Sequence, residues 1–130
     1  MAAMFLLSAV VLVIMFVARV RAVRARRVKL SYFSTYSSEL NDEAVVKTAR
    51  HFSNLFEAPV LFYTVCLAAM IAGVQGKAFL IIAWLYVGAR VVHAGIHLGS
   101  NRIYPRMLAY AASWIFLGVL WFQLVVHAML

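Results

Sequence analysis

The sequence predicts an all-α integral membrane protein built as a bundle of four transmembrane helices. Three observations predict it. Of the 130 residues, 66% are hydrophobic and only 12% charged, with a mean hydropathy of +0.94, whereas soluble domains are about half apolar and a quarter charged. The apolar residues fall into four stretches, each near the ~20 residues that a bilayer span requires. The formal net charge of +8 is concentrated rather than spread, with Arg19, Arg21, Arg24, Arg26, Arg27 and Lys29 in one run directly after the first stretch. A chain this short makes one domain over residues 1–130. In lipid the backbone must satisfy its own hydrogen bonds within each segment, so the spans are helices. A transmembrane barrel would need short alternating segments, which are absent.

The first span covers about residues 2–20. A secretory signal carries positive charge before its apolar core; here the arginines come after it, which fits a retained helix. The basic run is explained by topology and by anionic lipid headgroups. It is not explained by nucleic acid, since no aromatic-interleaved basic surface accompanies it. The stretch LSYFSTYSSELND, starting at Leu30, is the extended polar region, and Asn41 or Asp42 at its end is placed to cap the second helix. That helix runs from about 44 to 74, amphipathic at first and fully apolar from Val60, with Pro59 expected to kink it just beyond the charged turn. GVQGK (73–77) is a turn, the third span covers about 78–98, LGSNRIYP (98–105) is the next break, and the fourth span covers about 105–129. Lys and Arg in the first and third loops place those loops in the cytoplasm and both termini on the other side. Small size and a bare four-helix body point to a bacterial inner membrane. The single cysteine, Cys66, permits no internal disulfide and reads as apolar filler.

Charges within such helices are the informative part. A helix advances about 100° per residue, so Arg50, Asn54 and Glu57 lie within about 60° of one another on the second helix. Lys47 extends that stripe. Tyr86, Arg90, His93 and His97 repeat the pattern on the third helix, and Arg102, Arg106, Tyr110 and Ser113 on the fourth. Facing lipid would cost about 2.5–3.5 kcal/mol per central charge. The three stripes are therefore expected to face one another around a polar pocket in the cytoplasmic half, with Glu57 paired to an arginine. Arginine exceeds the single Glu57 there, and a surplus of fixed positive charge suggests an anionic ligand bearing carboxylates or phosphate. Lys47 and Arg102 lie near the interface, where snorkelling is the plainer account. His93 and His97 at i, i+4 have no third ligand or HExxH pattern, so no metal is assigned. His51 lies off the stripe and receives no role.

At these residues the chain resembles the MAPEG family, membrane-associated proteins in eicosanoid and glutathione metabolism. RHFSNLFEAP (50–59), RVVHAGIHLG (90–99) and NRIYPRMLAY (101–110) carry the likeness. Arg50, Asn54, Glu57 and Pro59 follow the family order on the second helix, and the third-helix motif is similar to the Arg-x-x-His run of the prostaglandin E synthase branch. The resemblance implies a homotrimer with glutathione, as co-substrate, bound between subunits near the cytoplasmic side. It implies glutathione contacts for Arg50, Asn54, Glu57, Arg90, His93 and Tyr110, and a thiolate-stabilising arginine on the fourth helix, Arg106 with Arg102 as its rival. It implies a glutathione-dependent transferase or peroxidase acting on lipophilic electrophiles from the bilayer. The alternative within the family is a non-catalytic trimer that binds a lipid or amphiphile; an arginine-lined anion path is a third reading. The chain departs from the family pattern at Ser53, where some members carry a second arginine. It departs again in the short gap between Glu57 and Pro59, and at His97, where some carry tyrosine.

Overall fold

The computed structural model describes residues 1–35, 42–74 and 76–129. Its elements are α1 (Ala2–Arg24), α2 (Tyr32–Thr35), α3 (Glu43–Asn54), α4 (Ala58–Ile71), α5 (Lys77–Leu98) and α6 (Ile103–Met129), and the described residues include no strand. Four spans, Ala2–Arg24, Glu43–Ile71, Lys77–Leu98 and Ile103–Met129, are long and apolar enough to cross a membrane. Phe5, Leu6, Ile71, Trp84, Ile115 and Phe122 point outward, as lipid-facing side chains do when burial in protein is not what satisfies them. The protein is an integral, multi-pass membrane protein.

Local chemistry ends each helix. α1 runs four residues beyond the expected boundary, carrying Arg21 and Arg24 in its last turn, where cations complement the negative end of the helix. It closes with a Schellman pair, Arg27 N–H to the Ala22 carbonyl and Arg26 N–H to that of Val23, both 2.9 Å. Arg26 supplies the left-handed residue at φ 55°. The loop after it is not wholly extended, since α2 forms one short turn within it. Asp42, not Asn41, caps α3: its Oδ1 accepts from Val45 N–H at 3.1 Å. Asn41 lies outside the described residues. Asp42 also meets Arg27, with Nη1 to Oδ2 at 3.1 Å, tying the basic run to the start of α3.

The second span is interrupted rather than kinked, and the interruption precedes Pro59. α3 ends at Asn54 and α4 begins at Ala58 with Pro59 in its first turn. Proline has no N–H to give to the residue-55 carbonyl, and its ring crowds that carbonyl. The helix therefore breaks one turn upstream, in 55–57, and Glu57 falls inside the break with φ −98° and ψ −101°. At the end of α5, a Cβ on Gly99 would lie 2.8 Å from the Gly95 carbonyl oxygen, so only glycine fits there. Asn101 then turns the chain with φ 50°.

α5 and α6 form the most extensive helix pair; α1 packs along α3, α4 against α6, and α3 against α5. The apolar core holds Met4, Val11, Leu55, Phe62, Val65, Tyr86, Leu117 and Leu120. Tyr86 stacks on Phe62 with ring centroids 4.3 Å apart. It belongs to this core and not to a polar pocket.

Replacing Asp42 by alanine removes both the cap and the ion pair, and is expected to cost about 1–2 kcal/mol, most of it from the cap. Arg27→Ala is expected to cost under about 1 kcal/mol because its side chain is largely exposed. Thermal unfolding of the two variants in detergent compares them directly.

Candidate functional site

The end of α3, the end of α5 and the start of α6 meet at one end of the bundle. Three consequences of the local sequence put functional side chains there. The break before Pro59 leaves Glu57 out of helical register. The Gly99–Asn101 turn brings the start of α6 back beside the end of α5. The three- and four-residue spacing on α5 aims Arg90, His93 and His97 inward, where they are 0%, 3% and 5% exposed.

An open cavity of about 600 Å³ lies between these segments, lined by Arg50, Ser53, Asn54 and Glu57 from the second span, His93 and His97 from α5, and Arg106, Met107 and Tyr110 from α6. Six of the eight residues expected to form the site therefore share one cavity: Arg50, Asn54, Glu57, His93, Arg106 and Tyr110. Arg106 is fixed by Nη1 donating to Asn101 Oδ1 at 2.8 Å. A guanidinium has five N–H donors, so the others stay available to a ligand. The Arg106 carbonyl in turn accepts from His93 Nδ1 at 3.1 Å. A carbonyl only accepts, so this bond puts a proton on Nδ1; when the ring is neutral its lone pair is then on Nε2.

Two of the expected residues stand elsewhere. Arg90 is buried behind the cavity wall. Its Nη2 donates to the Asn54 carbonyl at 3.1 Å, and its guanidinium sits 5.6 Å from the centre of the Tyr110 ring. Arg102 is exposed at the start of α6 and lines neither this cavity nor its neighbour. One residue upstream of the helix it lacks the helical register that the stripe assumed. The expected pairing of Glu57 with an arginine is also not made. Among the described residues the ion pair present is Arg27–Asp42, and Glu57 stands exposed at the cavity. Lys47 does not simply snorkel; its Nζ donates to the Gly99 carbonyl at 3.3 Å and closes the end of α5.

His51 is the residue that the sequence reading missed. It is fully buried, with its ring 5.5 Å from that of His93 and 5.0 Å from that of His97. The signal was present in the spacing. Thr48, His51, Leu55, Ala58, Phe62 and Val65 recur every three or four residues, and all are buried. The break at 55–57 displaces the charged stripe but keeps that inner line continuous. His51 Nδ1 and Nε2, His93 Nε2, His97 Nδ1, and Arg90 Nε and Nη1 are buried with no hydrogen-bond partner. Among the described residues, no three His, Cys, Asp or Glu side chains are arranged to hold a metal ion.

A smaller cavity of about 280 Å³ adjoins the first and is lined by Glu43, Val46, Lys47, Arg50, His97, Asn101 and Arg106. At the other end of the bundle an apolar cavity of about 460 Å³ is lined by Met1, Phe62, Cys66, Phe79, Trp84 and Val87 among others.

Comparison with protein families matches residues 1–126 to the model of the MAPEG family. The chain belongs to that family. Comparison with curated proteins and with solved structures finds no match.

Asn101 both holds Arg106 and adopts a left-handed backbone. Asn101→Gly is expected to release Arg106 while keeping the turn. Asn101→Ala loses the same bond and adds backbone strain of about 1 kcal/mol. Thermal unfolding in detergent is therefore expected to rank Asn101→Ala below Asn101→Gly.

Proposed function

We propose that this MAPEG protein binds glutathione in the cavity between α3, α5 and α6 and uses its thiolate to attack lipophilic electrophiles that enter from the bilayer. One observation carries the reading: a single open cavity holds Arg50 and Arg106 against one unpaired carboxylate, Glu57, with the Arg90 guanidinium buried behind it. Two guanidinium groups and a carboxylate complement a tripeptide with two carboxylates and one ammonium. Family membership supports glutathione-related chemistry in general.

In this reading Arg50 takes a glutathione carboxylate, Glu57 takes the ammonium, and Asn54 and Tyr110 offer neutral hydrogen bonds. Arg106 faces the sulfur. A free thiol with a pKa near ~8.5 is mostly protonated at neutral pH, and an adjacent cation favours the thiolate, which is the nucleophile. The sulfur's electron pair forms the S–C bond while the leaving group departs with its own pair. Arg106 acts where negative charge develops, so it lowers the barrier as well as aiding binding. Arg102, away from the cavity, takes no part.

The family's homotrimer fits the open side of the cavity, which a second copy would cover. The charge distribution supports loops 25–42 and 99–102 in the cytoplasm, both termini opposite, and a bacterial inner membrane as host.

Binding of glutathione to detergent-purified protein by calorimetry, followed by thiol consumption with an activated aryl chloride, tests this. Arg106→Ala is expected to lower kcat/KM about tenfold to a hundredfold, the worth of one hydrogen bond to a charged group. Arg102→Ala is expected to leave it within about twofold, that side chain lying outside the site. Both variants should assemble normally. No binding at millimolar glutathione would overturn the reading and favour the non-catalytic amphiphile binder.

A further inference from the structure

Among the described residues, His97 is the histidine that lines both cavities, the ligand pocket on one side and the smaller chamber beside Glu43 on the other. Its ring is 5% exposed and packs against the ring of His51 at 5.0 Å and that of His93 at 5.7 Å. His97 Nδ1, both nitrogens of His51 and Nε2 of His93 lack partners. Unpaired polar atoms at this depth cost about 1–3 kcal/mol each, and such atoms in proteins are met by ordered water or serve a chemical purpose. None of this is used by the binding chemistry proposed above.

Resting on that reading, we propose that His97 carries the thiol proton out of the ligand pocket into the adjoining chamber, with His51 as its positioning residue. A neutral imidazole has one N–H and one lone pair. It takes a proton on the lone pair and gives it up again. When the thiol ionises, the S–H electron pair stays on sulfur beside Arg106 and the proton goes to Nε2 of His97, whose Nδ1 is buried. From Nε2 the proton then passes to water in the adjoining chamber lined by Glu43. His51 holds the ring at the wall by packing against it. His93 cannot do this, because its Nε2 is buried and it does not line the smaller chamber.

The charges around the ring set the direction. Arg106 from α6 and Arg50 and Lys47 from α3 line the cavities that His97 borders, and Tyr110 faces His93 at 5.5 Å. This positive field opposes a lasting imidazolium and favours a thiolate. The proton is therefore passed on, not kept. Glu43, at the mouth of the smaller chamber, is the anion on the exit side.

Stopped-flow mixing with glutathione, following thiolate absorbance together with a pH indicator, tests the route. The wild type should form thiolate and release a proton at one rate. His97→Gln, which keeps hydrogen bonding but cannot accept the proton, should reach a similar thiolate amplitude about a hundredfold more slowly, the scale of a lost acid–base group. His97→Ala should regain speed when imidazole is added to the buffer. His51→Gln should be slowed less. A wild-type rate in His97→Gln overturns the proposal, and so does a folded, slow His97→Ala that imidazole leaves unchanged, since that marks a structural role. Glutathione binding with no thiolate signal in the wild type overturns the route while leaving the binding site standing. No binding overturns both.

Discussion

The hydrogen bond from Arg90 to the carbonyl of Asn54 is the joint on which the polar end of this bundle depends. A continuous helix would have used that carbonyl internally. Pro59 prevents it by stopping the helix one turn earlier, and the released carbonyl is left without its helical partner. Arg90, fully buried on the neighbouring helix, reaches it. One interaction thus satisfies an orphan acceptor, places a guanidinium behind the cavity wall and sets the separation of α3 from α5. His51, three residues before Asn54, and His93, three residues after Arg90, are brought into ring contact on the same side of that joint.

Much of this was legible in the sequence because lipid makes polar placement expensive. Four apolar stretches in a short chain leave few folds, and polar residues recurring every three or four positions on three helices have nowhere to go but toward one another. Arg50, Asn54, Glu57, His93, Arg106 and Tyr110 follow that rule to a common cavity. The rule fails wherever the helix is not continuous. Arg102 was placed by extending the α6 stripe backwards past the start of the helix, and it lies exposed instead. Glu57 was given an arginine partner on the assumption that the second helix runs through it. The break turns it out of register and leaves it unpaired. His51 was missed for the opposite reason: its line of neighbours is apolar, and a histidine among leucine, alanine and phenylalanine reads as an outlier to the charged stripe.

Tyr86 illustrates the limit of periodicity from another side. It shares the α5 face with Arg90, His93 and His97, and spacing alone assigns it to the pocket. Depth decides otherwise. One turn further from the broken end, the opposing residue is Phe62, and the tyrosine stacks on it. A helical stripe gives direction around the axis; the residue opposite at each level decides whether that direction is wet or dry. Here the change falls between Arg90 and Tyr86, where the second span passes from interrupted to regular helix.

The bundle is consequently asymmetric along its axis. One end has a broken span, a left-handed asparagine and unpaired cations around an open polar cavity; the other has unbroken helices around an apolar one. Interruption and charge occur together because each requires the other. Backbone freed within a membrane must find a partner, and a cation withdrawn from the interface must find an acceptor. Arg90 and Asn54 answer both needs at once, and Lys47 with Gly99 repeats the solution at the end of α5. Arg106 is held differently, by a side-chain oxygen that neutralises no charge. Arg50 makes no ion pair among the described residues. The cations that hold the fold are thus spent on carbonyls, and those facing the cavity keep their charge uncompensated, which is the condition a negatively charged ligand would meet.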